Sequence, residues 1–183
     1  MALDATEFRR LVETHQRMVY SLALRVTGET GVAEEVAQDA FLALFRSADK
    51  LESEDHIRFW LRRVTVHRAT DALRRRSHQP EAAAEEWMEE QHGEENAEAL
   101  NAAVIALLEE LLRALPEAMR VAVVLRYQEE MSPPEIAALL GQPLATVKSN
   151  LQRGLKLLRA KAECNLKDYV RPGKSLGGAR ADG

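Results

Sequence analysis

A chain of 183 residues with 46% hydrophobic residues can pack one medium domain or two small ones, and 30% charge places it among soluble proteins. Aromatics make up only 5% while Ala and Leu abound, which favours helix over sheet. The net charge of −4 gives no sign of a nucleic-acid partner, the lone Cys164 excludes a disulfide framework and a Cys-based metal site, and no apolar run approaches the ~20 residues that span a bilayer. With no charged-then-apolar leader ahead of Leu3, a cytoplasmic protein without membrane insertion is expected.

Asp4 with Glu7 has the spacing of a capping box and opens a helix on which Phe8, Leu11, Val12, Met18, Val19, Leu22 and Val26 keep helical spacing until Gly28. A second helix, from about Gly31 to Arg46, is expected to turn Val32, Val36, Ala40, Leu44 and Phe45 inward. Its other side carries Glu34, Glu35, Gln38 and Asp39, with Leu42 close by. Such a face is either simply solvated or a dock for a basic partner surface. Ser47 to Asp55 lacks periodicity and reads as a loop.

A third helix, from about His56 to Arg76, turns Ile57, Leu61 and Val64 inward. The stretch His56 to His78 holds seven Arg against one Asp, a local charge of +6. Trp60, Arg63, His67, Asp71 and Arg74 fall along one stripe of it. Cations interleaved with an aromatic and hydrogen-bonding side chains suit phosphates and base edges. A basic amphipathic helix fits a protein or membrane contact as well.

Composition changes at Ser77. From Ser77 to Glu98 there are eight Glu and no Lys or Arg, with Pro80, an Ala run and Gly93. This reads as an acidic linker with some helical tendency around Trp87 and Met88, either a solvated spacer or a tether for a basic channel. Beyond it Leu100, Val104, Leu107, Leu108, Leu111 and Leu115 mark an amphipathic helix. Pro116 starts another, apolar nearly all round from Met119 to Leu125, and such a helix belongs in a core.

The stretch Ser132 to Leu158 is the most informative. Ser132 with Glu135 forms a second capping box, and Pro133 and Pro134 fall in the first turn, where no donor is needed. Ile136, Ala137, Leu139 and Leu140 give a short helix one apolar side, Gly141 suits a left-handed helix end, and Pro143 forbids continuation. A following helix carries Val147, Leu151, Leu155 and Leu158 on one stripe. Opposite them lie Thr146, Ser149, Arg153 and Lys156, flanked by Lys148 and Asn150. Between Ala145 and Ala162 there are five Lys or Arg and no acid. The pattern is that of a helix-turn-helix, with an ordinary helical hairpin as the alternative. No Gly-rich phosphate loop, metal-ligand spacing or catalytic triad accompanies these motifs, so neither an enzyme nor a cofactor is expected.

The three pieces together resemble the extracytoplasmic-function (ECF) sigma factors of bacterial RNA polymerase. They are A-E-E-V-A-Q-D-A-F-L-A-L-F-R at Ala33 to Arg46, F-W-L-R-R-V-T-V-H-R-A-T-D-A-L-R-R-R at Phe59 to Arg76, and the run from L-P-E-A-M-R-V-A-V-V-L-R-Y through T-V-K-S at Leu115 to Ser149. The resemblance implies an all-α chain of two small helical domains joined by a flexible acidic linker. Residues 1–77 would be region 2-like, 78–99 the linker, 100–163 a region 4-like four-helix unit with the helix-turn-helix, and 164–183 a disordered tail.

It implies partners as well: core RNA polymerase, promoter DNA and an anti-sigma factor. Glu35, Gln38, Asp39, Leu42 and Phe45 would dock on polymerase. Arg62, Arg63, His67, Asp71, Arg74 and Arg75 would engage the minus-10 element. Thr146, Lys148, Ser149, Asn150 and Arg153 would read minus-35, with Glu135 at the phosphate-facing helix end. His67, Ala145, Asn150 and Gly154-Leu155 depart from the family's usual Asn, Gly, Arg and Ala-Arg, so the promoter sequence does not transfer. A decoy that sequesters an anti-sigma protein and a stand-alone helix-turn-helix factor are the alternatives. The retained basic faces argue against the first, and the acidic helix at Ala33 to Arg46 against the second.

Overall fold

The structure, a computed structural model, describes residues 4–47, 53–77 and 97–170. These form seven helices and no strand among the described residues: α1 (Ala5–Thr27), α2 (Thr30–Ser47), α3 (Glu54–Ser77), α4 (Ala97–Arg113), α5 (Glu117–Tyr127), α6 (Pro133–Leu140) and α7 (Leu144–Val170). The expected linker and most of the expected loop after Ser47 lie outside the described residues.

Local chemistry sets the boundaries. The Asp4 carboxylate accepts from the backbone N–H of Thr6 and Glu7, both at 2.8 Å, and caps α1 as its position suggests. Gly28 ends the helix at φ 77, and Gly141 ends α6 at φ 63, both left-handed positions that glycine enters without a Cβ penalty. Past residue 163 no Gly or Pro interrupts the chain before Pro172, and α7 runs on to Val170.

Helices α1, α2 and α3 pack on one another, and α5 packs on α6 and α7. Packing is denser within each group than between them, yet the groups touch: α1 meets α4 and α5, and α3 meets α6. One apolar cluster crosses the seam, joining Leu22, Val26 and Val66 to Leu112, Val124 and Ile136. A second cluster, built on Leu11, Leu44 and Leu61, stays within the first three helices.

Three expectations about burial need correction. Phe45 does not point inward; it is 52% exposed and leans edge-on against Phe8, with ring centroids 5.2 Å apart. Val104 and Leu108 are exposed as well, and the described part of α4 enters the core through Leu111 and Leu112. On α3 the buried side is wider than Ile57, Leu61 and Val64 alone: Thr65, Val66, Ala69 and Ala72 are buried too. That helix is gripped by α1 and α2 and touched by α6, so no narrow stripe describes it. A feature with no counterpart in the sequence reading is Gly154, buried where α7 crosses α5, where a Cβ would stand 3.0 Å from Val123 Cγ2.

Candidate nucleic-acid interface

Three surfaces carry the expected site residues. On α2, Glu35, Gln38, Asp39, Leu42 and Phe45 are all exposed and form one side of the helix opposite the buried Val36, Ala40 and Leu44. Leu42 and Phe45, three residues apart and each more than half exposed, put a small apolar pair among the carboxylates of this face. Asp39 is not free. Its Oδ2 accepts from Arg68 Nη1 of α3 at 2.7 Å, tying the acidic face to the basic helix.

On α3, Arg63, His67, Asp71, Arg74 and Arg75 are exposed, so the expected stripe faces outward, with Trp60 half-buried at its start. Arg74 lies 3.8 Å from Asp71 and 3.7 Å from Glu117 of α5. Arg76 pairs with Glu29 at the α1–α2 turn. Arg62 stands apart from its neighbours. Its Nε donates to Glu129 Oε2 at 2.7 Å and its Nη2 contacts the Glu129 carbonyl at 3.4 Å, so the structure turns it toward the other group of helices.

On α6 and α7 the helix-turn-helix is as spaced in the sequence. Ile136, Leu139 and Val147 are buried, Thr146 and Val147 donate back to the Pro143 carbonyl, and Thr146, Lys148 and Arg153 are exposed with Ser149 and Asn150 half-buried beside them. Glu135 accepts from both the Ser132 N–H, at 2.7 Å, and the Ser132 hydroxyl, at 2.6 Å. Those bonds hold its carboxyl below the usual range. Glu135 therefore fixes the start of α6 and presents a carboxylate there, and because Pro133 and Pro134 carry no N–H and Ser132 N–H is taken, this turn offers a phosphate no ready set of backbone donors.

Sequence reasoning missed four residues. Arg120 is buried on α5, its Nε without a partner and its pKa lowered by burial, with Glu117 opposing the shift. His15 is buried on α1, and both burial and the nearby Arg58 guanidinium push its pKa down, against the pull of Glu54. Glu129 and Arg68 become visible only through partners 67 and 29 residues away. An ionisable residue at a core register position was the one signal available, and only for Arg120 and His15.

An apolar groove of about 350 Å³ runs between α4, α5 and α7, lined by Leu108, Val123, Tyr127, Leu155 and Leu158 with Arg25 at its rim. No helix among the described residues is long and apolar enough to cross a membrane.

An outward basic stripe on one helical group and a cationic helix-turn-helix on the other define a two-part, all-helical DNA-binding protein. Comparison with known proteins makes that class specific. The chain matches Sigma-70 region 2 over residues 11–79 and Sigma-70, region 4, over residues 105–158. It is 36% identical over 152 residues to the ECF RNA polymerase sigma factor SigE of Mycolicibacterium smegmatis, covering 81% of this chain and 59% of that protein. It is 29% identical over 170 residues to the ECF RNA polymerase sigma-E factor of Escherichia coli K12, covering 87% and 88%.

Among solved structures it is similar to the sigma factor RpoE of Bartonella quintana, crystallised with the anti-sigma factor NepR. That match has a TM-score of 0.67 at 18% identity and covers 87% of this chain and 98% of the other. It is also similar to CnrH, in complex with the cytosolic domain of CnrY, with a TM-score of 0.63 at 23% identity and coverage of 88% and 91%. The chain belongs to the sigma-70 family, in its ECF group.

Proposed function

We propose that this protein is a promoter-specificity subunit: it binds core RNA polymerase in the cytoplasm, directs it to particular promoters and helps open the duplex there. The observation that carries this reading is the ordered succession, in one member of the ECF group, of an exposed acidic and apolar face on α2, a basic stripe on α3 and a cationic helix-turn-helix. No catalytic role and no cofactor is assigned to the chain.

In this reading Glu35, Gln38, Asp39, Leu42 and Phe45 dock on polymerase. Arg63, His67, Asp71, Arg74 and Arg75, joined by Arg62 when it is released from Glu129, engage the minus-10 element. Thr146, Lys148, Ser149, Asn150 and Arg153 enter the major groove at minus-35, where an α-helix fits and one bidentate Arg–guanine pair is worth about 1–3 kcal/mol. Residues 1–77 and 100–163 act as the two DNA-reading units and 78–99 as the tether between them. An anti-sigma factor is the expected restraint, with the exposed Leu42 and Phe45 and the groove beside Tyr127 as the surfaces it would cover.

Neither unit alone reads enough bases for tight binding, and the acid-rich segment between them repels free DNA. Polymerase holds the two at fixed spacing, so the second contact becomes intramolecular and gains effective concentration. The test is promoter affinity, measured by fluorescence anisotropy for the isolated protein and for the holoenzyme across a salt series. Weak binding alone and strong, salt-sensitive binding in the holoenzyme are expected. Equal affinities in the two states would overturn the assignment.

A further inference from the structure

Among the described residues, α4 leaves an apolar side uncovered. Leu108 is 41% exposed and faces the groove of about 350 Å³ that it shares with Val123 and Tyr127 of α5 and Leu155 and Leu158 of α7. Val104 and Ile105, four and three residues before Leu108 and both more than half exposed, extend that side one turn further along α4. Tyr127 closes the other wall and is itself 59% exposed.

The cations beside this surface are short of acids. Arg25, at the rim, has no ion-pair or hydrogen-bond partner among the described residues. A second cavity, of about 400 Å³, shares Arg25 and Leu112 with the groove and adds Tyr20, Glu109 and Arg113. The Arg113 side chain donates to the Glu109 backbone carbonyl, at 3.5 Å, rather than to a carboxylate. An occupant that suits this ground is apolar at its centre and acidic on its flanks.

The chain carries such a stretch. Residues 78–96, outside the described part of the structure, hold seven Glu and no Lys or Arg. Their two large apolar side chains are Trp87 and Met88, framed by Glu85, Glu86, Glu89 and Glu90. The stretch after Val170 has the opposite character, with Arg171, Lys174 and Arg180 against Asp182 alone, and would meet Arg25 with like charge.

Both ends of residues 78–96 are anchored beside α4. One end leads directly into it at Ala97. The other leaves α3 at Ser77, next to Arg76, which pairs with Glu29. The neighbouring Gly28 packs against the side chain of Arg113, the last residue of α4. The two anchors are therefore separated by about the length of α4, or about 25 Å at roughly 1.5 Å per residue. A chain from Ser77 to Ala97 can extend to about 70 Å at roughly 3.4 Å per residue, so it bridges that distance with slack to spare. Trp87 stands midway between the anchors, within reach of Leu108 from either side.

We propose that the groove between α4, α5 and α7 is occupied in the free protein by the chain's own residues 85–90. Trp87 and Met88 lie over Leu108, Tyr127 and Leu158, and the flanking glutamates face Arg25 and Arg113. Aromatic and thioether side chains fill irregular apolar ground well, and the charges on the two sides are complementary. A tether this short holds the stretch at an effective concentration on the order of millimolar, so modest contacts suffice. Any other partner for this groove competes with a segment already held beside it.

The test uses the full chain with Trp60→Phe, which leaves Trp87 as the one tryptophan. Its fluorescence should be blue-shifted relative to the same chain in denaturant, and acrylamide should quench it several-fold less. Leu108→Glu changes an exposed position and adds a charge that repels the occupant, so helical content should hold by circular dichroism. In that variant the Trp87 emission should move to the red and the quenching should rise toward the denatured value. Arg25→Gln should shift both part of the way.

If Trp60→Phe lowers helical content, 5-fluorotryptophan NMR of the parent chain replaces it, with the Trp87 resonance assigned by its loss in Trp87→Phe. A solvent-exposed Trp87 in the parent overturns the proposal and leaves the groove to a separate partner. Shielding that survives Leu108→Glu overturns it too, because Trp87 is then covered elsewhere. Shielding that disappears on dilution makes a second copy the occupant. None of these readouts involves polymerase or DNA, so the proposal and the promoter assignment fail separately.

Discussion

Arg68 Nη1 donates to Asp39 Oδ2 at 2.7 Å across the boundary between α3 and α2, so the acidic face read as a polymerase dock and the basic helix read as a promoter surface share one ion pair. Both partners are well exposed, and exposed pairs of this kind contribute roughly 0.2–1 kcal/mol. Asp39→Ala should therefore change thermal stability little. Its affinity for core polymerase should nevertheless fall by an order of magnitude or more, with Asp39→Arg worse. A parallel loss of stability and binding would instead make the residue a purely internal brace.

Among the described residues Arg153 has no ion-pair or side-chain hydrogen-bond partner, and its exposed place on α7 suits the major groove. Arg153→Ala should weaken holoenzyme binding at promoters with a minus-35 element by about 1–3 kcal/mol if it reads guanine. Loss confined to one base position marks base readout. A uniform loss with a salt slope reduced by about one marks a phosphate contact.

Glu130 occupies left-handed space at φ 54, which costs an L-residue roughly 1–2 kcal/mol that glycine escapes in part through its own entropy loss. Glu130→Gly should raise stability by a few tenths to about 1 kcal/mol in a denaturant titration. Gly28→Ala should do the reverse. At φ 77 it would put a Cβ 2.8 Å from the Arg113 methylenes that cross the α1–α2 turn.

His15 is buried with its pKa held below 6.5, first by burial and then by Arg58. The unfolded chain therefore binds this proton more readily than the native one, and stability must fall as pH drops below about 6.5 toward the native value. A calorimetric series from pH 8 to pH 5 should show that loss, and His15→Leu should flatten it. Glu135 acts in a separate and lower window. Its depressed pKa contributes stability that is present above 4.5 and is lost as pH falls through the native value.

Much of the fold was legible because it is written locally. Asp4, Gly28, Ser132, Glu135 and Gly141 begin and end helices through contacts within a few residues, and Val147 with Ile136 and Leu139 follows a simple helical period. What the sequence did not disclose depends on partners far along the chain. Glu129 looks like one more surface acid until Arg62 is seen against it. Phe45 and Val104 keep the spacing of core residues, yet among the described residues no helix covers them. Gly154 reads as a helix-weakening substitution, and only the crossing of α5 over α7 shows why a side chain is unwelcome there. Of the site, the faces of α2, α3 and α7 were visible as charge patterns, whereas the pairing between the two groups of helices was not.

The central claim is that the chain confers promoter choice on polymerase. The most direct measurement combines bacterial core polymerase with this protein and scores run-off transcription from a genomic promoter pool. The account predicts discrete start sites that depend on the protein, share a two-element motif and disappear with Asp39→Arg or Arg153→Ala. Failure of the folded protein to bind core polymerase at all would contradict it.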